Sequence, residues 1–156
     1  MKFLYLVSCI SFFKIRNLQI THNMNTSVKS LIYCFVIYVV AESAWLYSMN
    51  PFYSNEFQKF SKGPLKIQSP LACVLIYPLL LSSFYYFVIR ANELDSSSRN
   101  AFLRGAFFGL AVYGVYNLTN NATLLGYSWT LVAVDMLWGA SLFGILSLLF
   151  SIFSKK

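Results

Sequence analysis

Glu42 and Asp135 are the two side chains of this sequence whose type and setting point most directly to chemistry. Each lies inside a long apolar stretch, and each has a tryptophan three residues on, Glu42-Ser-Ala-Trp45 and Asp135-Met-Leu-Trp138. On a helix that spacing puts acid and indole on one face. A carboxyl beside an aromatic ring in an apolar setting suits holding a proton, a cation or a cationic headgroup. Asn117 and Asn120 add amide groups within a third apolar stretch, and Tyr77 a phenol within a fourth.

These groups are unusual only because of the elements that carry them. With 58% apolar and 11% charged residues, the 156-residue chain departs from soluble composition, in which roughly a quarter of residues are charged. The class is an all-α integral membrane protein, a four-helix bundle. Its spans are Val28 to Met49, Pro70 to Ile89, Ala101 to Leu125 and Thr130 to Phe153, each about the twenty residues that a hydrocarbon core of ~30 Å requires. Residues 28–154 form this domain, and 1–27 a separate N-terminal extension.

Within that frame the polar groups share a depth. Glu42 precedes the end of its span by seven residues and Asp135 follows the start of its span by five, so both lie about 8 to 10 Å below the same boundary. Asn117, Asn120 and Tyr77 fall in the same half of their spans. The reading expects Glu42 and Asp135 to face one interior space, with Asn117 or Asn120 donating an amide hydrogen bond to one of them. The plainer alternatives are that the amides only cross-bond helices and that Trp45 and Trp138 serve packing and the aromatic belt.

Between the first two spans, Asn50-Pro51 reads as an N-cap with proline at the first helical position. Tyr53, Phe57 and Phe60 then recur on one face as far as Gly63-Pro64, predicting a short interfacial helix over Asn50 to Ser61. Pro78 should kink the second span. The segment ANELDSSSRN reads as a loop whose serines cap the next helix, and Gly126 as a left-handed stop. Gly105, Gly109, Tyr113, Asn117 and Asn120 make one stripe whose small residues let a neighbouring helix come close, packing helices within the chain rather than driving a dimer.

The sequence offers little else. Cys9, Cys34 and Cys73 stand singly, and His22, the one histidine, has no partner, so no metal set, cofactor or histidine-dependent catalysis is expected. Residues Met1 to Phe13 look like the front of a signal peptide without a cleavage site and are too short to span; translation from Met24 is the favoured reading. The net charge of +7 reflects positives lying between apolar runs, which excludes nucleic acid as a partner and leaves the lipid bilayer. Nine Lys and Arg flank one side of the spans and three the other, which predicts both termini in the cytoplasm.

The block Tyr113, Tyr116, Asn117, Leu118, Thr119, Asn120, Ala122, Thr123, Leu124, followed by Val134, Asp135, Trp138 and Gly139, resembles a family of small predicted membrane proteins, the domain of unknown function twenty-one seventy-seven. Glu42, Trp45 and Leu46 match its first helix, although the family more often has Asp where Glu42 stands. The resemblance covers about Ser30 to Phe150 and implies a four-helix membrane domain with no assigned activity.

Three functional readings follow. The favoured one is a binder or transporter of a proton, cation or small cationic solute, for which transport by four helices would need a homo-oligomer. A structural or accessory membrane protein comes next. An enzyme acting on a lipid or isoprenoid substrate comes last, because the sequence holds no nucleophile-base pair and no phosphate-binding loop.

Overall fold

The computed structural model describes residues 29, 32–61, 69–94 and 97–153. The expectations for Cys9, His22, Met1 to Phe13 and Gly63-Pro64 therefore fall outside the described residues. The described residues contain five helices and no strand: α1 Ile32–Ser48, α2 Asn50–Gln58, α3 Pro70–Glu93, α4 Ser98–Thr123 and α5 Trp129–Phe153. The last three are each long and apolar enough to cross a membrane, and α1 with α2 forms a pair bent by 65°.

The bend has a local cause. Backbone bonds run almost unbroken through it, Met49 N–H to the Trp45 carbonyl at 2.8 Å and Tyr53 N–H to the Met49 carbonyl at 3.0 Å. Pro51 has no N–H to give the carbonyl four residues earlier, and a missing bond on one side of a helix bends it. This continuity corrects the expected cap. Met49 takes the N-cap position, no side chain caps α2, and Asn50 is already helical. The helix ends at Gln58 rather than Ser61, its last turn tightened by Lys59 N–H bonding to the Glu56 carbonyl.

Helix α3 also corrects the sequence reading. Ser69 caps it through the Ala72 N–H at 3.3 Å, and Pro78 lies within it. It does not stop at Arg90, however; a widened π turn over Tyr85–Ile89 leads into Arg90–Glu93. The reason lies in Asn92, which is buried and donates to Ser147 Oγ at 2.8 Å. That tertiary bond draws into the helix a residue whose polarity reads as loop. Ser97 then caps α4 through the Asn100 N–H, as expected.

Helices α4 and α5 pack along a seam of small residues. A Cβ on Gly105 would strike the Phe143 carbonyl, one on Gly109 the Gly139 carbonyl, and one on Gly139 the Tyr113 ring. In lipid, helices gain nothing from hiding apolar surface from each other, so backbone approach of this kind supplies the attraction. Around Phe143 gather Tyr38 of α1, Phe84 of α3 and Phe108 of α4, with ring centroids 5.2 to 5.7 Å apart. Leu71, Val74, Leu75 and Leu79 of α3 are by contrast exposed, as suits side chains meeting acyl tails.

The α4–α5 turn needs its glycine. Tyr127 N–H bonds the Leu124 carbonyl at 3.2 Å while Gly126 takes φ 91°, and a Cβ there would lie 2.7 Å from the Lys59 carbonyl. The turn thus accepts the end of α2 directly above it. Tyr53, Tyr127, Leu131 and Val132 form a second core at this junction, with Phe57 and Phe60 against it. The aromatic face of α2 meets protein.

Candidate functional site

Glu42 stands six residues before the end of α1 and Asp135 six after the start of α5, about 9 Å along each helix. Their tryptophans show that the levels coincide: the rings of Trp45 and Trp138 stack with centroids 4.2 Å apart and planes 6° from parallel. Such a stack contributes about 1 kcal/mol beyond burial and fixes the rotation of α1 against α5.

The carboxyls collect donors from different helices. Glu42 Oε2 accepts from Trp138 Nε1 at 2.9 Å and from the Tyr113 hydroxyl at 3.2 Å, linking α1 to α5 and α4. The Tyr53 hydroxyl of α2 donates to Asp135 Oδ1 and accepts from Trp45 Nε1 at 2.8 Å. Burial, followed by the bond to Asp135, raises the Tyr53 phenol above its ordinary range, so it keeps its proton and remains a donor. Every donor on these acids is a neutral aromatic group or an amide. Among the described residues Lys59 pairs with Glu56, and no described side-chain cation pairs with Glu42 or Asp135.

The acids border a common cleft of about 370 Å³. Glu42 and Leu46 come from α1, Tyr53, Ser54 and Phe57 from α2, Tyr113 and Tyr116 from α4, and Asp135 and Trp138 from α5. Its volume is that of a small-molecule site, and its walls combine aromatic rings with a few polar atoms.

The remaining sequence-predicted residues divide. Asn117, fully buried, accepts from the Tyr127 hydroxyl, donates to the Tyr113 carbonyl at 2.9 Å and is a hydrogen-bond partner of Asp135. It therefore supports the site from behind. Burial pushes the Tyr127 phenol up to about 12, which keeps that link protonated. Asn120 neighbours the same phenol and does not line the cleft. Tyr77 stands apart, edge-on to Phe35 and Tyr38 at 6.3 Å. Tyr38 in turn is a hydrogen-bond neighbour of Tyr113, so Tyr77 is two aromatic rings removed from Glu42.

Sequence reasoning missed Tyr53, the donor to Asp135. Its helical spacing with Phe57 was visible but signals equally a face toward lipid and a face toward protein. It missed Glu56 as well, which accepts from Ser128 Oγ and from Lys59 Nζ at 2.6 Å. These bonds hold its carboxyl below the usual range, Lys59 contributing most, and tie α2 to the α4–α5 turn. Among the described residues no group of three or more His, Cys, Asp or Glu could hold a metal.

No curated protein and no solved structure matches the chain. Residues 27–152 match a family model, and with most of its length covered and several apolar helices to cross a bilayer, the chain belongs to the family described as "Predicted membrane protein (DUF2177)", a multi-pass integral membrane protein.

Proposed function

We propose that the cleft at the α2 end binds a positively charged species, a proton, cation or small cationic solute, with Glu42 and Asp135 as the receiving groups. One observation carries this reading: two carboxyls, Asp135 in a helix long and apolar enough to cross a membrane and Glu42 in the first arm of the bent α1–α2 pair, border one cleft, and no described side-chain cation pairs with either. Negative charge in a bilayer has to be neutralised, and where the described residues offer no cationic partner, a proton or cation taken up by the cleft can supply it. The excess of Lys and Arg near the termini and the α3–α4 connection supports a topology with both termini cytoplasmic and the cleft in the outer half of the membrane. Transport across the bilayer, as opposed to binding, would call for a homo-oligomer.

The test uses the Trp45–Trp138 stack as its reporter. Tryptophan emission of the purified protein should change saturably across pH and with added sodium, potassium or ammonium chloride, and E42Q/D135N should abolish the change. Emission that ignores pH and every salt would defeat the reading.

A second reading has its own support. Because Glu42 joins α1 to α4 and α5, and Asp135 joins α5 to α2, the acids serve equally well as hydrogen-bonded staples of an accessory membrane protein. In that case E42Q and D135N would lower stability without altering any response to ions.

A further inference from the structure

We propose that the charged species taken by this cleft is an organic ammonium group rather than a bare metal ion; this deepens the cation-binding reading and rests on it. The argument is one of size and wall chemistry. A hard metal cation needs six or more oxygens in Ca²⁺ sites, or a near-ideal octahedron with several waters in Mg²⁺ sites. The charged oxygens of this cleft come from two carboxyls, one already bonded to Trp138 and Tyr113 and the other to Tyr53; besides the tyrosine hydroxyls, the other side-chain oxygens of the lining are those of Asn50 and Ser54, which are bonded to each other. A volume of about 370 Å³ is also much larger than an ion.

Half of the ten lining residues are aromatic. Trp138, Tyr113, Tyr116, Tyr53 and Phe57 surround the acids, and the rings of Tyr53 and Phe57 lie nearly parallel at 6.0 Å. Aromatic faces attract diffuse organic cations, whose hydration is weak, more effectively than strongly hydrated metal ions, and a nearby carboxylate supplies the net charge. Aromatic cages for quaternary ammonium follow the same chemistry.

The ammonium could belong to a free solute or to an amphiphile in the bilayer. Leu46 of α1 and Tyr116 of α4, both lining the cleft, are 50% and 60% exposed, so apolar side-chain surface at its opening can meet an alkyl chain beside a bound head.

The experiment compares tetramethylammonium chloride, dodecyltrimethylammonium bromide below its micellar concentration, and sodium chloride at matched ionic strength, read by tryptophan emission of the full chain in nanodiscs. The expected result is saturable binding of both ammonium compounds, at least about tenfold tighter than sodium. Binding of both ammonium compounds should weaken by about tenfold in Tyr116→Leu. Tighter binding of the dodecyl compound supports an amphiphile headgroup; equal binding supports a free ammonium solute. A site that answers to pH or sodium but to neither ammonium compound overturns this inference and leaves cation binding standing. A site that answers to none of them overturns both. Native mass spectrometry of Tyr116→Leu, showing the same charge envelope as the natural chain, separates lost binding from lost folding.

Discussion

The bundle contains two polar regions, one at each end, and they are built differently. Near the α3–α4 connection, Arg104 Nη1 donates to Asn92 Oδ1 at 3.1 Å, Asn92 Nδ2 to Ser147 Oγ at 2.8 Å, and Ser147 Oγ to the Ala101 carbonyl at 2.6 Å. Each donor in that chain finds an acceptor, Ser147 is fully buried, and the positive charge sits at its edge. At the α2 end, two acids receive bonds from aromatic hydroxyls and indoles, no described cation pairs with them, and a cleft lies between the helices. The first arrangement closes on itself and fastens helices. The second has negative capacity left over, with room beside it, and that surplus distinguishes a candidate site from a polar staple.

The largest expected effect comes from the glycine seam on which both regions depend. Gly109→Ala places a methyl against the Gly139 carbonyl, which is backbone and cannot rotate away. We expect a loss of about 3 kcal/mol in mixed-micelle unfolding, at the upper end for overpacking, together with loss of both polar regions. If the variant unfolds like the natural chain, the seam is not what positions them.

Ser147→Ala should cost about 2 kcal/mol, because it takes from the buried Asn92 amide its acceptor and from the Ala101 carbonyl a second donor, yet it should leave the ion response of the cleft intact. Asp135→Asn should show the reverse: a stability change within about 1 kcal/mol, since the amide keeps its shape and can still accept from Tyr53, and a lost ion response. Equivalent behaviour of the two variants would erase the distinction between the ends.

The smallest effect concerns the attachment of α2. Lys59 and Ser128 hold the Glu56 carboxyl below its ordinary range, so the charged form is favoured in the folded state. The resulting stabilisation is present in full above the usual carboxylate value of about 4.3 and disappears as pH falls through the lowered folded value. Hydrogen exchange at residues 50–58 should quicken on acidification relative to the α4–α5 seam, and Glu56→Gln should flatten that dependence.

Position along each helix was readable in the sequence; rotation about each helix was read only in part. Counting residues from the ends of the apolar runs led to the expectation of Glu42 and Asp135 at one level, and the repeated acid-to-tryptophan spacing to that of each pair sharing a face; in the structure the rings of Trp45 and Trp138 stack and both acids line one cleft. Tyr77 was expected at the same level but stands against Phe35 and Tyr38, because position along a helix says nothing about which neighbour its face meets. Asn92 looked like loop because its burial depends on Ser147, far away in sequence. Tyr53 was hidden by the fold-back at Pro51, since an aromatic stripe has the same pattern whether it meets lipid, as expected for an interfacial helix, or the α4–α5 turn, as here. Local periodicity carries the elements; the pairings between distant residues do not show in it.

The central claim, that the cleft acids take up positive charge, is tested most directly by solid-supported-membrane electrophysiology on proteoliposomes. A cation entering a site within the bilayer displaces charge through part of the membrane, so a jump in proton, sodium or tetramethylammonium concentration should give a transient current in the natural chain and in Ser147→Ala. The account predicts that E42Q/D135N abolishes this current while retaining its helical circular dichroism. A current of the same size in E42Q/D135N would contradict it.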